Sequence, residues 1–178
     1  MSNENESEAT TVQLPKESEW RFEVEVDSSV KVKLTSGTAE VFGVEMVVGP
    51  VYSFSSQKSA IFTWTGCALE IQGAPSSEYV ANETPMHVYA NLHFALEKER
   101  IECASADGVG PRALILGPEH AGKTSLTKIL TSYAVKQGRT PMVVNLDPKE
   151  ARWASCFGLM YRVFSACLAP SARLPSPA

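Results

Sequence analysis

The sequence predicts a mixed fold, in which an N-terminal antiparallel β-sandwich domain is followed by the first βαβ unit of an incomplete α/β domain. Two observations support this prediction. Residues 18–81 contain six or more short segments of strand character, separated by Gly, Pro or Ser. Residues 112–150 contain an apolar run, a glycine-rich loop, an amphipathic stretch and a second apolar run, which is the order of a βαβ unit.

The composition excludes several classes of protein. The chain has 178 residues, of which 44% are hydrophobic and 20% charged, with a net charge of −4. This apolar content predicts a globular protein, and the mild acidity argues against a general nucleic-acid coat. The chain has no run of about 18 apolar residues, so we expect no membrane-spanning helix and no membrane partner. The acidic, polar start lacks the features of a signal or transit peptide, which predicts an intracellular protein.

The β domain is predicted from its alternating residues. Residues 1–17 are polar and acidic and are predicted to form a disordered tail. Trp20, Phe22 and Val24 then alternate with charged residues, which indicates a half-buried strand. Residues 27–29 are typical of a turn. Further strands are predicted at residues 30–34, 39–42, 44–48, 51–54, 60–64 and 67–72.

Residues 82–111 are predicted to connect the two domains. Thr84 and Pro85 form a favourable helix start, with Thr84 as the N-cap and Pro85 at the first helical position. One face of the helix is formed by residues spaced three or four apart: Met86, Tyr89, His93, Leu96 and Arg100. The small residues, Gly and Pro of 102–111 are typical of a hinge or linker.

Residues 117–124 have the sequence GPEHAGKT, which fits the phosphate-loop pattern G-x-x-x-x-G-K-[ST]. The glycines allow the backbone to curl so that its N–H groups point at a triphosphate, and the helix that follows adds a positive dipole end. Its context also fits, because strands are predicted at 112–116 and 142–146, and Gly138 is suited to end the helix between them. Residues 112–150 therefore predict a partial P-loop NTPase domain.

The residue types within this loop predict an ATP site with Mg²⁺. Lys123 can reach the β- and γ-phosphates, and the Thr124 hydroxyl can bind the metal ion. His120 is expected to contribute its backbone N–H. The alternative interpretation is a glycine-rich turn with an exposed lysine.

Other polar residues give weaker indications. Asp147 follows the second predicted strand, where it could bind Mg²⁺ or a substrate hydroxyl, or could instead form a turn before Pro148. The four cysteines lack metal-binding spacing and are expected to be reduced thiols, and the three histidines are scattered.

Over about residues 18–150 the chain resembles a known family, the nucleotide-binding subunit of the pre-mRNA cleavage and polyadenylation factor. Its animal members are Clp-type polyribonucleotide 5′-hydroxyl kinases. The phosphate loop carries part of the resemblance, and the rest lies in residues 19–24, 36–43, 61–67, 79–80, 83–86, 91–93 and 95–97. The match in the β region makes the resemblance more specific than the loop alone.

The resemblance implies which residues bind ATP. Glu19 and Lys58 match the positions with which the family's N-terminal domain clamps the adenine side. Taken by themselves, the two residues would be a solvated charge at a strand start and a turn lysine. The phosphate-binding stretch of the family matches His120, Ala121, Gly122, Lys123, Thr124 and Ser125. Gly117, the first glycine of the loop pattern, is also expected at the nucleotide.

Two departures from the family pattern affect the expected function. Kinase-active members carry Asp-x-x-Gln-Gly after the second strand, whereas residues 147–150 are DPKE, as in the fungal-type branch thought to have lost kinase activity. After Glu150 the resemblance is expected to stop. Residues 151–178 form an atypical tail, whose Pro-, Ser- and Ala-rich end is predicted to be non-structural.

Three functions remain open on these grounds. The first is an ATP-binding scaffold of the nuclear mRNA 3′-end processing machinery, required for endonucleolytic pre-mRNA cleavage and bound to other protein subunits of the cleavage and polyadenylation factor. The second is a polyribonucleotide 5′-hydroxyl kinase, which would make RNA a substrate. The third is a non-functional truncated fragment of either, in which the β domain folds and the P-loop half is loose. Whether the chain is an enzyme therefore remains open.

Overall fold

The computed structural model describes residues 9–105 and 108–146. Its elements are seven strands and two helices, in the order β1 (Thr10–Leu14), β2 (Ser18–Gly37), β3 (Glu40–Val41), β4 (Val44–Glu45), β5 (Val51–Thr63), β6 (Cys67–Gln72), β7 (Ser77–Ala81), α1 (Met86–Ser105) and α2 (Lys123–Lys136).

The seven strands form one sheet around β2. The strand order is β1-β6-β2-β5-β3-β4, and β7 also pairs with β2. The first half of β2 lies between β7 and β5, and its second half lies between β6 and β5. All of these pairs are antiparallel, which confirms the predicted antiparallel β domain.

The core of the β domain lies on one face of β2, as the alternation predicted. Trp20, Phe22 and Val24 are buried in its first half, and Val30, Val32 and Leu34 in its second half. The rings of Trp20 and Phe22 stack with centroids 4.1 Å apart. Burial of each such side chain contributes about 1.5–3 kcal/mol. The opposite face of β2, which carries Glu19, Arg21 and Glu23, is left for polar contacts.

Two turns predicted in the β domain are wrong. Residues 27–29 lie inside β2, where the pairing register with β5 shifts between Val24 and Ser29. Gln57 and Lys58 lie inside β5 rather than between two strands, because the chain runs through this irregularity without reversing. Residues 25–28 have no partner in β5 and Ser56 has φ +50°, so the irregularity is a bulge inside two continuous strands.

The predicted N-terminal tail is also wrong in part. Residues 1–8 lie outside the described residues, but Thr10–Leu14 forms β1, which pairs with β6 so that Leu14 lies opposite Cys67. Leu14 is buried in the core of the β domain. The backbone hydrogen bonds offered by β6 therefore order a segment in which only Val12 and Leu14 are apolar.

The first helix begins as predicted and is longer than predicted. The Met86 N–H donates to Thr84 Oγ1 at 3.3 Å, which confirms Thr84 as the N-cap. Met86 and His93 are buried on the predicted face, together with Glu97. The helix runs to Ser105 and so takes up the first residues of the expected linker.

The second helix ends just before Gly138, as the sequence predicted. Gly138 has φ +74° and its N–H donates to the Val135 carbonyl at 2.8 Å, so it occupies the left-handed position after the helix. Ile129, Leu130 and Ala134 are buried, as the apolar stripe indicated.

The strands predicted on either side of this helix are wrong for the described structure. Residues 112–116 and 142–146 are not assigned to strands, and Leu114, Leu116, Met142 and Leu146 are all exposed. A strand needs a neighbour for its backbone hydrogen bonds. Every strand pair in the described residues joins elements between Thr10 and Ala81, so neither segment receives a partner.

No helix in the described residues is both long enough and apolar enough to span a membrane.

Candidate nucleotide site

The phosphate loop of residues 117–122 is curled by two residues with positive φ. His120 has φ +60° and Gly122 has φ +79°. The chain then enters α2 directly, and the Leu126 N–H donates to the Gly122 carbonyl at 2.9 Å. A helix of 14 residues thus begins at the end of the loop, and its first N–H groups lack helical acceptors. This arrangement favours an anion in front of the helix.

Lys123 is held across the loop. Its Nζ donates to the Pro118 carbonyl at 2.6 Å, which places an ammonium group at the open side of the curled backbone. A phosphate oxygen would be a stronger partner than a neutral carbonyl, because its charge adds a Coulombic attraction to the hydrogen bond. The loop, the helix start and the ammonium therefore fit a phosphate group.

The remaining loop residues lie where the pattern predicted. Thr124 and Ser125 follow in the first turn of α2, and both are partly buried. His120 and Ala121 are exposed at the tip of the loop. The backbone of His120, with its positive φ, contributes to the curl of the loop.

A pocket of about 350 Å³ lies beside the polar face of β2. Strand register explains its walls, because Arg21 lies opposite both Ala60 of β5 and Tyr79 of β7. Phe42, in the turn between β3 and β4, and Ser125 of α2 also line it. The complete lining is Arg21, Phe22, Glu23, Phe42, Lys58, Ser59, Ala60, Ser77, Tyr79 and Ser125. The pocket thus combines strands of the β domain with the helix that follows the phosphate loop.

Lys58, which the resemblance assigns to the base side of ATP, lines this pocket. Its Nζ forms an ion pair with Glu23 Oε2 at 2.9 Å, and its side chain is largely exposed. Exposed ion pairs of this kind contribute about 0–1 kcal/mol, so a ligand could displace Glu23 at little cost. The structure therefore brings Lys58 and Ser125, two predicted site residues, to one pocket.

Glu19 does not line the pocket. It is 6% exposed, its Oε1 accepts from the Arg21 guanidinium, and its Oε2 accepts from Thr84 Oγ1 at 3.1 Å. Arg21, by contrast, does line the pocket, and the pKa of its guanidinium is raised chiefly by its hydrogen bond to the Tyr79 hydroxyl. Glu19 thus holds Arg21 and the N-cap of α1 in place, and Arg21 presents the charge.

The family is decided by two matches along the chain. Residues 13–103 match the model of the N-terminal beta-sandwich domain of polyadenylation factor. Residues 117–160 match the model of the mRNA cleavage and polyadenylation factor CLP1 P-loop. The chain belongs to the CLP1 family. The P-loop match continues beyond Glu150, where the resemblance was expected to stop.

Fungal relatives agree with this assignment. An mRNA cleavage and polyadenylation factor clp1 from Aspergillus niger is 60% identical over 139 residues, which is 78% of this chain and 28% of the relative. The protein of the same name from Botryotinia fuckeliana is 55% identical over 138 residues, with 78% and 30% covered. The chain thus spans less than a third of the length of these CLP1 relatives.

Solved structures of the family share the fold. A Clp1p–Pcf11p complex is 33% identical, with a TM-score of 0.71 over 80% of this chain and 33% of that one. A second structure, of the extended Pcf11p–Clp1p interface and the basis of ATP loss in a point mutant, is 32% identical. It has a TM-score of 0.71 over 82% of this chain and 34% of that one. The predicted fold class, an antiparallel β domain followed by a P-loop fragment, is therefore confirmed.

Arg21, Phe42 and Tyr79 are among the pocket residues that sequence reasoning did not assign to a site. Arg21 lies over the Tyr79 ring, 5.8 Å from its centroid, and donates to its hydroxyl at 3.3 Å. The alternation of β2 could have shown that Arg21 faces away from the core. Nothing in the sequence indicated that Tyr79 would lie beside it, because that depends on the register of β7.

No group of three or more His, Cys, Asp or Glu side chains within residues 9–105 and 108–146 could hold a metal ion. Asp147, the acidic residue considered for Mg²⁺, lies outside these residues. Thr124, the other residue expected to bind Mg²⁺, lies within the described residues, at the start of α2.

Proposed function

We propose that this chain is an ATP-binding component of the nuclear mRNA 3′-end cleavage and polyadenylation machinery and acts there as a scaffold. The observation that carries the proposal is the conjunction of a curled phosphate loop and a pocket that Lys58 and Ser125 line together. Membership of the CLP1 family supports the role in mRNA processing, and that process supports a nuclear location.

The residues of the loop would bind the triphosphate. Lys123 would exchange the Pro118 carbonyl for a phosphate oxygen, and the backbone N–H groups at the start of α2 would donate to others. The hydroxyl of Thr124 would ligate Mg²⁺, which neutralises phosphate charge when bound. Gly117 and Gly122 give the backbone of the loop its freedom to curl.

The residues of the β domain would bind the base side. Lys58 would leave Glu23 and donate to the ligand, and Glu19 would act by fixing Arg21 beside it. Bound in this way, ATP would join the β domain to the start of α2. A ligand that joins these two parts suits a scaffold, because its binding would stabilise the arrangement on which protein partners dock.

Other subunits of the cleavage and polyadenylation factor are the proposed partners. The solved relatives are complexes of Clp1p with Pcf11p, which supports a protein partner of that kind for this chain. RNA would then be reached through these partners rather than through a basic surface, in agreement with the net charge of −4.

Titration calorimetry with ATP and Mg²⁺ tests the nucleotide site. We expect Lys123→Ala to weaken binding by roughly 10- to 100-fold, because a hydrogen bond to a charged group contributes about 1.5–3 kcal/mol. The matched control is Lys98→Ala, since Lys98 lies on α1 and pairs with Glu102. Equal affinity of the two variants would contradict the proposed site.

The scaffold role is tested separately from binding. The chain would be incubated with labelled ATP and an RNA that has a 5′-hydroxyl end, and we expect no phosphate transfer above background. Transfer that Lys123→Ala abolishes and Lys98→Ala preserves would replace the scaffold with the kinase alternative.

A further inference from the structure

The turn between β3 and β4 has an unusual backbone. Its two central residues, Phe42 and Gly43, have φ +47° and φ +80°, so the strands are joined by a two-residue turn with positive φ at both positions. Asn, Asp or Gly normally occupies the first position. An aromatic residue is strained there, because its Cβ crowds the backbone. Such strain persists only where surrounding contacts impose it.

Contacts with α2 impose this conformation. Phe42 packs against the cluster of buried residues that contains Phe62, Met86 and Ile129. The Lys128 ammonium lies 4.9 Å from the centroid of the Phe42 ring, within range of a cation–π interaction. The ring is thus held from two successive positions of α2, Lys128 and Ile129.

Gly43 brings the turn against the backbone of the same helix. A Cβ added at Gly43 would lie 3.0 Å from Ser132 Cβ, 3.1 Å from the Ile129 carbonyl oxygen and 3.3 Å from Ile129 Cα. Two of these three atoms belong to the helix backbone, so a side chain at Gly43 could be accommodated only if α2 moved. Glycine is therefore required here both for φ and for close packing.

This helix carries the phosphate-binding residues at its other end. Ile129 follows Lys123 by six residues, a distance of about 9 Å along a helix that rises 1.5 Å per residue. Phe42 and Ser125 line the same pocket. A displacement of α2 at Ile129 would thus be carried as a rigid shift to Lys123, Thr124 and Ser125.

We propose that the turn of Phe42 and Gly43 is a positioning element of the nucleotide site, which sets the start of α2 relative to the base-side wall formed by β2 and β5. This inference rests on the proposed nucleotide site and adds residues to it that touch no phosphate. The strained Phe42 and the side-chain-free Gly43 together fix the helix that the ligand must bridge.

Gly43→Ala tests the proposal against Gly49→Ala in the 178-residue chain. Gly49 has φ +106° and no atom within 4 Å of an added Cβ, so its alanine variant carries backbone strain without displacing a helix. The first measurement is amide hydrogen exchange of residues 123–129 in the absence of nucleotide. We expect Gly43→Ala to raise these exchange rates about tenfold, through easier local opening, and Gly49→Ala to leave them unchanged.

The second measurement is ATP affinity. We expect Gly43→Ala to weaken binding by about tenfold, within the usual range of coupling between two sites, whereas Gly49→Ala retains the affinity of the unaltered chain. Phe42→Gly is the second variant, in case Gly43→Ala fails to fold. It suits the turn and removes the ring that contacts α2, so we expect circular dichroism of the native chain with weakened ATP binding.

Each result distinguishes this inference from the proposed function. Equal exchange and equal affinity in the Gly43→Ala and Gly49→Ala variants would overturn the positioning role. Faster exchange with unchanged affinity would overturn it as well, because the position of the helix would then not matter to the ligand. An unaltered chain that binds no ATP would overturn the proposed function, while exchange in residues 123–129 would still decide whether the turn holds the helix.

Discussion

The β domain and the segments around the phosphate loop bury apolar side chains to very different degrees. Leu69 in β6 is 0% exposed, whereas Leu116, directly before the loop, is 79% exposed. Both lie in short apolar runs, so the difference is not one of composition. β6 has antiparallel partners on both sides, β1 and β2, while residues 112–116 have no strand partner in the described structure. The two runs therefore differ in whether neighbouring strands pair with their backbone.

The second helix differs from the segments on either side of it. Ile129 is buried against Phe62 and Met86, which belong to β5 and α1. The Tyr133 hydroxyl donates to Glu40 in β3. Tyr133 is partly buried and Glu40 is buried. These contacts hold α2 against the β domain. Because the phosphate loop leads directly into α2, they also connect the loop to the β domain.

A matched pair of leucines measures the difference between the two regions. We expect Leu69→Ala to lower the free energy of unfolding by about 2–5 kcal/mol, the usual cost of a buried Leu→Ala cavity. Leu116→Ala should change it by no more than about 0.5 kcal/mol, as exposed substitutions do. Urea denaturation followed by Trp fluorescence measures both. A loss above 1 kcal/mol in Leu116→Ala, about twice that bound, would show that residues 112–116 are buried in solution.

Sequence reasoning predicted the core better than the edges of the fold. Trp20 and Phe22 alternate with charges, so the buried face of β2 followed from their spacing. The strand Thr10–Leu14 did not, because only two of its five residues are apolar and its order depends on β6, more than fifty residues away. Residues 112–116 were predicted as a strand from composition, which shows what a segment could bury but does not supply the neighbour.

The candidate site also contains residues that a local sequence pattern predicts and residues that it does not. The loop residues from Gly117 to Thr124 follow from a local pattern, and their backbone shape agrees with it. Arg21, Tyr79 and Phe42 reach the pocket through strand register and a strained turn, which no local pattern specifies. The roles of Glu19, Lys58 and Ser125 in binding ATP stay predictions, with Glu19 placed behind Arg21 rather than at the pocket.

Tyr133→Phe tests the contact through which the β domain covers α2. We expect it to lower the free energy of unfolding by about 1–3 kcal/mol, because the buried side chain of Glu40 loses one hydrogen-bond donor. Burial, followed by the hydrogen bond to Glu40, raises the pKa of Tyr133 above its usual value. The unfolded chain therefore loses this proton first as the pH rises above about 10, and native stability falls.

The pH dependence of stability distinguishes the contribution of the Tyr133 hydroxyl from that of its ring. The contribution of Tyr133 is fully present below about pH 10 and is lost at higher pH, so the unaltered chain should lose stability faster than Tyr133→Phe in alkali. Thermal melts of both proteins between pH 7 and about pH 11 give the two slopes. Parallel slopes would mean that the Tyr133 hydroxyl is not shielded from water in solution.

The smallest effect is expected at a polar group within the same contact. Ser132 is buried beside Gly43, and its hydroxyl has no hydrogen-bond partner among the described residues. Removing an unsatisfied buried hydroxyl relieves its desolvation penalty, and alanine is a better helix former, so we expect Ser132→Ala to raise stability by about 0–1 kcal/mol. Ser105→Ala is the control, because it makes the same change in a helix but removes the hydrogen bond to the Ile101 carbonyl at 3.0 Å, which offsets the gain in helix propensity. A loss of stability in Ser132→Ala would reveal a partner for this hydroxyl, and the contact between α2 and the β domain would then be polar as well as packed.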